Sequence, residues 1–249
     1  MIPTLQLGGL GRARAQSQAS IPTWEEVITD LAPLYWMKLN EANKAAVEAS
    51  GNFGSAGGTV GVIEDSGFPT FGEASLIPSE PTRSTCENGA GSARIIMYGG
   101  VGAAKPNAAA TIYFIYAGTT GNSAQIAWRD GSGAGKWFAR FDGTDVRLRI
   151  RNVDLTTTYA NSNIKDGNAH LIGVCVTSTD ASLWVDGVEV WTGSCGGSSS
   201  AENGWTYTQN GSFSNQKLYG SFGDFLVWNR TLTDTENEDL YAAYLGVAP

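Results

Sequence analysis

Between Leu34 and about Phe225 the chain is written in short β-branched and aromatic runs that stop at Gly and Asp turns. That rhythm suits antiparallel sheets and argues against a parallel α/β fold, which needs a long crossover, usually helical, between successive strands. The run Thr111-Ile112-Tyr113-Phe114-Ile115-Tyr116 is rich in large apolar side chains on both phases, so it is expected to be a strand buried on both faces. Lys136 to Phe141 alternates instead, with Trp137, Ala139 and Phe141 on one phase and Lys136, Phe138 and Arg140 on the other. After a turn at Asp142-Gly143, Val146, Leu148 and Ile150 point inward while Arg147, Arg149 and Arg151 point out. A second hairpin is predicted at Leu183 to Trp191, where Asp186-Gly187 supplies the positive φ angles of a two-residue turn. At 249 residues the chain can bury a core without disulfide or metal staples, and its 32 glycines are about twice the usual share of ~7%.

Helical signals sit at the two ends of this β region. Thr23 and Glu26 fit a capping box, with Ile21 and Val27 as a hydrophobic staple and an end near Pro33. Thr233 and Glu236 fit a second box, followed by an apolar stripe of Leu240, Tyr241, Tyr244 and Leu245 and by Gly246 as the terminating residue. This C-terminal helix is expected to pack on the edge or end of a sheet. Residues 1–22 lack periodicity and read as an extended arm, leaving 23–249 as one β-sandwich domain.

Three segments in order resemble laminin G-like, concanavalin A-like domains. Asp166-Gly167-Asn168-Ala169-His170-Leu171-Ile172-Gly173-Val174 is similar to their D-G-x-W-H-H-V-A-V strand, with Ala169 in place of the Trp. Ser182-Leu183-Trp184-Val185-Asp186-Gly187-Val188 is similar to their x-L-Y-V-D-G-V hairpin, and Gly223 to Glu236 to their G-x-I-D-E-V-R-I-Y-N-R-A-L-S-x-E-E ending. Leu34 to Glu41 resembles the opening Y-W-P-L-D-E strand. The resemblance spans about residues 34–245 and implies an all-β jelly-roll sandwich with a short N-terminal and a C-terminal helix. The opening Met-Ile-Pro-Thr-Leu-Gln-Leu-Gly-Gly-Leu-Gly resembles the start of some tailed-phage virion proteins.

The chemistry available to such a chain is narrow. A single histidine, His170, gives poor support to an H-E-x-x-H zinc site or a Ser-His-Asp triad, and it reads as a satisfied histidine of an alternating strand. Cys86, Cys175 and Cys195 form no C-x-x-C pattern; buried, reduced thiols are expected, the rival being a Cys175–Cys195 bridge. No E-x-D-x-E strand places two carboxylates across a sugar bond, and Asp186 with Glu189 reads as turn and surface. The loop Gly131 to Trp137 lacks Walker A spacing, because Asp130 and Trp137 stand where Gly and Ser/Thr are needed. Asp65, Asp130 and Asp142 are conceivable calcium ligands, yet their spacing fits no dedicated loop, so neither metal nor cofactor is expected. Asn210 and Asn229 lie in N-x-[ST] sequons and read as chance matches, since no Sec signal peptide is recognised.

A net charge of −8 with 16% charged residues argues against nucleic acid, and no apolar run reaches the ~20 residues of a membrane span. Against that background Arg140, Arg147, Arg149 and Arg151 form an outward positive row, with Trp128 near in sequence as a stacking partner. An ordinary solvated face and an anion-binding face both fit this row. The expectation is a non-enzymatic virion component, a capsid decoration or tail appendage, that stabilises the particle or binds host-surface polysaccharide. Leu5, Leu7, Leu10, Arg12 and Arg14 of the arm would then hold other virion subunits or further copies of the chain. A free carbohydrate-binding lectin is the alternative, and a glycoside hydrolase a weaker one.

Overall fold

The structure is a computed structural model that describes residues 21–40, 53–55, 59–63, 69–83, 85–88, 94–98, 109–119, 125–129, 135–141, 143–150, 153–196, 205–207 and 220–249. The arm residues 1–20, the loop aspartates Asp65, Asp130 and Asp142, and Arg151 and Asn210 lie outside them. No helix among the described residues is long and apolar enough to cross a membrane.

Two antiparallel sheets face each other, as the alternating runs require. The first contains β1 (Tyr35–Met37), β3 (Pro69–Glu73), β4 (Thr85–Asn88), β6 (Ala110–Thr119), β11 (Asp166–Val176), β12 (Asp180–Val185), β13 (Val188–Ser194) and β15 (Gly220–Trp228). Its order is β13-β12-β11-β6-β15-β4-β3, with β1 also paired to β15. The second contains β2 (Thr59–Ile63), β5 (Arg94–Tyr98), β7 (Gln125–Arg129), β8 (Gly135–Arg140), β9 (Asp145–Ile150), β10 (Val153–Ala160) and β14 (Trp205–Tyr207), in the order β10-β9-β8-β7-β14-β5-β2. Non-sequential neighbours in both sheets give the jelly-roll β-sandwich expected from sequence.

The strand β6 is buried on both phases because two cores meet across it. Ile112, Phe114 and Tyr116 enter the layer between the sheets, where Ile172, Val174, Leu183, Val146, Leu148 and Ile150 also pack. Tyr113 and Ile115 enter a second layer, formed where α1 (Trp24–Leu31) and α2 (Asp234–Leu245) cover the outer face of the first sheet. The fold therefore has three layers: helices, first sheet, second sheet. This corrects the expectation for the C-terminal helix. It lies on a sheet face, with Leu240, Ala243 and Tyr244 packed among Tyr113, Leu171, Cys175 and Trp184. The reason is that β6 and β11 expose large apolar side chains on that face which only a covering helix removes from water.

Both capping boxes form, with Thr23 and Thr233 each accepting from the backbone N–H of the glutamate three residues on. Ala32 ends α1 and Gly246 ends α2, each in the left-handed conformation. The proposed staple is corrected: Ile21 stays 47% exposed while Val27 joins the helix-side core. The hairpin turn is as predicted, with Asp186 at φ 52° and Gly187 at φ 75°. Cys175 and Cys195 are buried in different layers, on the helix side and between the sheets respectively, which removes the bridge between them.

One irregularity has chemical consequences. The pairing of β15 with β6 slips between Phe222 and Phe225, a bulge that inserts an extra residue. Phe222 and Phe225 both face the inter-sheet core, and Asp224 is turned to the helix side with 0% exposure. A side chain at Gly223 would press on Ile115 at 3.0 Å, so the bulge is made where no Cβ is present. Asp224 accepts from Trp24 Nε1 at 3.1 Å, Trp36 Nε1 at 2.7 Å and an Arg83 guanidinium nitrogen at 2.7 Å. Arg83 in turn pairs with Glu80 and Glu25, so α1, β1 and the segment before β4 are tied to one carboxylate.

Candidate functional site

The outward arginine row takes shape from the register of β8, β9 and β10. Arg140 lies directly opposite Arg147, and Phe138 opposite Arg149. On the same sheet Ala139, Val146, Leu148 and Ile150 are buried, so strict alternation sets Arg140, Arg147 and Arg149 on the other face. Arg149 pairs with Asp154 of β10 through Nε at 3.2 Å. Asp154 is 70% exposed in its side chain, so this contact contributes about 1 kcal/mol or less. Arg147 is exposed, and among the described residues no acidic group lies within ion-pair distance of it. Structure thus brings three of the four expected arginines together. Trp128 lies on β7 with its backbone opposite Trp137 and Trp205, and its side chain falls outside what the structure describes.

Like charges directly opposite each other on a sheet have Cβ atoms about 5 Å apart and destabilise it. Arg140 and Arg147 stand in this cross-strand relation, so two guanidinium-bearing side chains share one patch of the face. Guanidinium forks match carboxylate, sulfate and phosphate oxygens in bidentate fashion.

His170 is placed differently from a catalytic histidine. Its Nδ1 lies 2.7 Å from Asp186 Oδ2 and its Nε2 lies 3.0 Å from Asp166 Oδ1. Asp186 also accepts the backbone N–H of Leu171 at 3.0 Å. The bond to Asp186 leads in raising the imidazole pKa, with Asp166 adding to it against the opposing effect of burial. Asp166 is held down to about 2, first by the backbone N–H of Asn168 and then by His170. With both ring nitrogens engaged by carboxylates the imidazole has no lone pair to offer a substrate, so it acts as a pin between β11 and the β12–β13 turn. The two sequence motifs that carry the family resemblance, around Asp166-Gly167 and Val185-Asp186-Gly187, are joined by this pin. Asp186 is consumed by these contacts, and Glu189 sits exposed on β13. Among the described residues no group of three or more His, Cys, Asp or Glu could hold a metal ion.

Two polar residues escaped the sequence reading. Asp224 lies in an apolar strand, and only its mid-strand charge hinted at a buried pair. Asn237 falls on the stripe position one turn before Leu240 and Tyr241, where a polar residue interrupts an apolar face; it is 1% exposed.

No protein-family model and no curated protein matches the chain in sequence. Solved structures do match its shape. The binding domain of Paraclostridial Mosquitocidal Protein 1 is similar with a TM-score of 0.61 and 13% identity, covering 86% of this chain and 52% of that one. Domain 4 of AbnA, a GH43 extracellular arabinanase from Geobacillus stearothermophilus, in complex with arabinotriose, matches with a TM-score of 0.61 and 11% identity, covering 84% of this chain and 98% of that one. The binding domain of botulinum neurotoxin DC in complex with rat synaptotagmin II matches at 0.62 and 10% identity, covering 86% and 52%. This chain spans about half the length of the two toxin binding domains. At these identities the likeness is one of fold, a β-sandwich.

Proposed function

We propose that this chain is a non-enzymatic binding domain that presents the Arg140, Arg147 and Arg149 face to an acidic polysaccharide. The observation that carries the reading is the cross-strand opposition of Arg140 and Arg147 with Arg149 beside them, on a chain whose net charge is −8. Support also comes from the neighbours' own partners: one is captured with arabinotriose and another with rat synaptotagmin II. The absence of an E-x-D-x-E strand and the engagement of Asp186 and His170 in structural contacts argue against hydrolysis. The finer form of the proposal is a virion component, a decoration or tail protein, whose residues 1–22 attach the sandwich to the particle and whose face meets host-surface glycan.

The test is the Arg147→Ser, Arg149→Ser double variant against immobilised sulfated and carboxylated polysaccharides, measured at low and at physiological salt. Binding is expected to weaken at least tenfold relative to the parent, and the parent's binding is expected to fall as salt screens the arginines. Unchanged affinity in the double variant overturns the assignment of this face.

A further inference from the structure

The outer side of α2 presents two unlike halves along one line. Asp234, Glu238, Tyr241 and Leu245 recur at helical spacing, so they share one side of the helix, a stripe of about 16 Å. Asp234 and Glu238 are exposed at its start, and Leu245 is 38% exposed at its end. Tyr241 lies against the β12–β13 turn, where a Cβ at Gly187 would come within 2.5 Å of its ring, and the next residue, Val188, is 59% exposed. Neither α2 nor β12 nor β13 contains Lys or Arg, and Arg230, which precedes the helix, is committed to Glu236 at 2.7 Å. The stripe is therefore acidic at one end and apolar at the other, on the side of the sandwich opposite the arginine face.

A segment that fits this stripe must be apolar in one half and basic in the other. Residues 1–20 of this chain have that pattern: Ile2, Leu5, Leu7 and Leu10 are followed by Arg12 and Arg14, with no Asp or Glu. Leucines on Val188, Tyr241 and Leu245 take apolar surface out of water, and the arginines meet Glu238 and Asp234 in complementary charge. Direction decides which copy supplies the segment. Trp24, at the start of α1, packs edge-on against Tyr244 with ring centroids 6.1 Å apart, so residues 1–20 join the fold beside the apolar end of the stripe. Run back over its own stripe, the segment would set Arg14 and Arg12 at the apolar end and its leucines among the carboxylates. Arriving from a second copy whose α2 runs antiparallel, it meets both halves in the right order. Residues 15–20 span up to ~20 Å, enough to bridge adjoining copies, and a twofold arrangement serves both segments at once.

We infer that this stripe receives residues 1–20 of a second copy of the chain, with Leu5, Leu7 and Leu10 over Val188, Tyr241 and Leu245 and with Arg12 and Arg14 beside Glu238 and Asp234. The inference rests on the reading that residues 1–22 attach the sandwich, and it names the surface that receives them. Its test is photocrosslinking in an equimolar mixture of isotope-labelled and unlabelled full chains carrying p-benzoylphenylalanine in place of Leu7. Crosslinks are expected on the peptide that holds Tyr241 and Leu245, in pairs of one labelled and one unlabelled chain. In sedimentation equilibrium, Leu245→Glu, Arg12→Glu with Arg14→Glu, and Asp234→Arg with Glu238→Arg are each expected to weaken association about tenfold or more. Combining the last two pairs in one chain is expected to restore it, which separates lost complementarity from lost folding. The inference is overturned if the parent sediments as a monomer at every concentration, if crosslinks stay within one chain or reach another surface, if Leu245→Glu associates as tightly as the parent, or if the combined chain does not recover. A chain lacking residues 1–22 that keeps the parent's mass refutes the attachment reading as well. A monomeric truncation beside full association of Leu245→Glu refutes the stripe alone.

Discussion

Replacing Asp224 with alanine removes one side chain and strands three donors. Arg83, whose side chain is 5% exposed, loses the partner at 2.7 Å, and the indole N–H groups of Trp24 and Trp36 lose their acceptor. Breaking a buried ion pair from one side costs about 3–5 kcal/mol. Arg83 keeps Glu80 at 2.7 Å, on the half-wet side of the cluster, which sets the charge loss near 3 kcal/mol, and the two indoles add about 1 kcal/mol once water reaches them. The expected destabilisation is about 4 kcal/mol, a large part of the ~5–15 kcal/mol that holds an ordinary domain together. In a chain of this length it lowers Tm by on the order of 10 °C. Guanidinium unfolding followed by tryptophan fluorescence reads it as a shift in midpoint at constant slope. Burial pushes the Asp224 carboxyl up to about 6 against the pull of Arg83 and the two indoles, so its ionised form is held at a net cost to the fold. Accordingly Arg83→Met combined with Asp224→Asn, which removes both charges and keeps a carbonyl for the indoles, is expected to recover to within about 1 kcal/mol of the parent. A loss below about 1 kcal/mol in Asp224→Ala, or a double variant no better than the single one, refutes the reasoning.

The Asp186–His170–Asp166 pin gives the fold a pH dependence of known sign. Its folded imidazole pKa lies above the ordinary value of 6.5, so the stabilisation is fully present below that value and is lost as pH rises through the folded pKa. Melting temperatures from pH 5 to pH 9 are expected to fall on the alkaline side in the parent and to flatten there in His170→Asn. Burial pushes the Cys175 thiol up to about 11, so a thiol reagent at pH 8 is expected to modify Cys175 only after unfolding, with no Cys175–Cys195 linkage in non-reducing peptide mass analysis. Deleting residues 1–22 is expected to lower the sedimenting mass of any oligomer to that of a monomer and to abolish attachment to particles; particle attachment that survives the deletion refutes the role of the arm.

Local chemistry made a good part of this molecule legible in advance. Capping boxes at Thr23 and Thr233, the Asp186-Gly187 turn and the alternation of Val146, Leu148 and Ile150 with Arg147 and Arg149 depend on residues within a few positions of one another. Their geometry follows from backbone rules wherever the segment comes to lie. The opposed arginines were half legible, since alternation gives the face of each strand but not the register that sets Arg140 against Arg147.

The remaining features join residues that are remote in sequence. Asp224 meets Trp24 across 200 positions and Arg83 across 141, and it does so because a bulge in β15 turns it away from the inter-sheet core. The seat of α2 on a sheet face follows from the apolar outer side of β6 and β11, which no pattern within the helix discloses. Asn237 looks like a flaw in an amphipathic stripe until Tyr113 and Cys175 arrive beneath it. Sequence alone determined the strands, turns, helix ends and the class of fold, because these obey short-range sterics and hydrogen bonding. Only the tertiary structure decided which polar groups are buried together, because burial and pairing are set by elements that meet after the chain has closed long loops, and the free energy of each polar group depends on the partners it finds there.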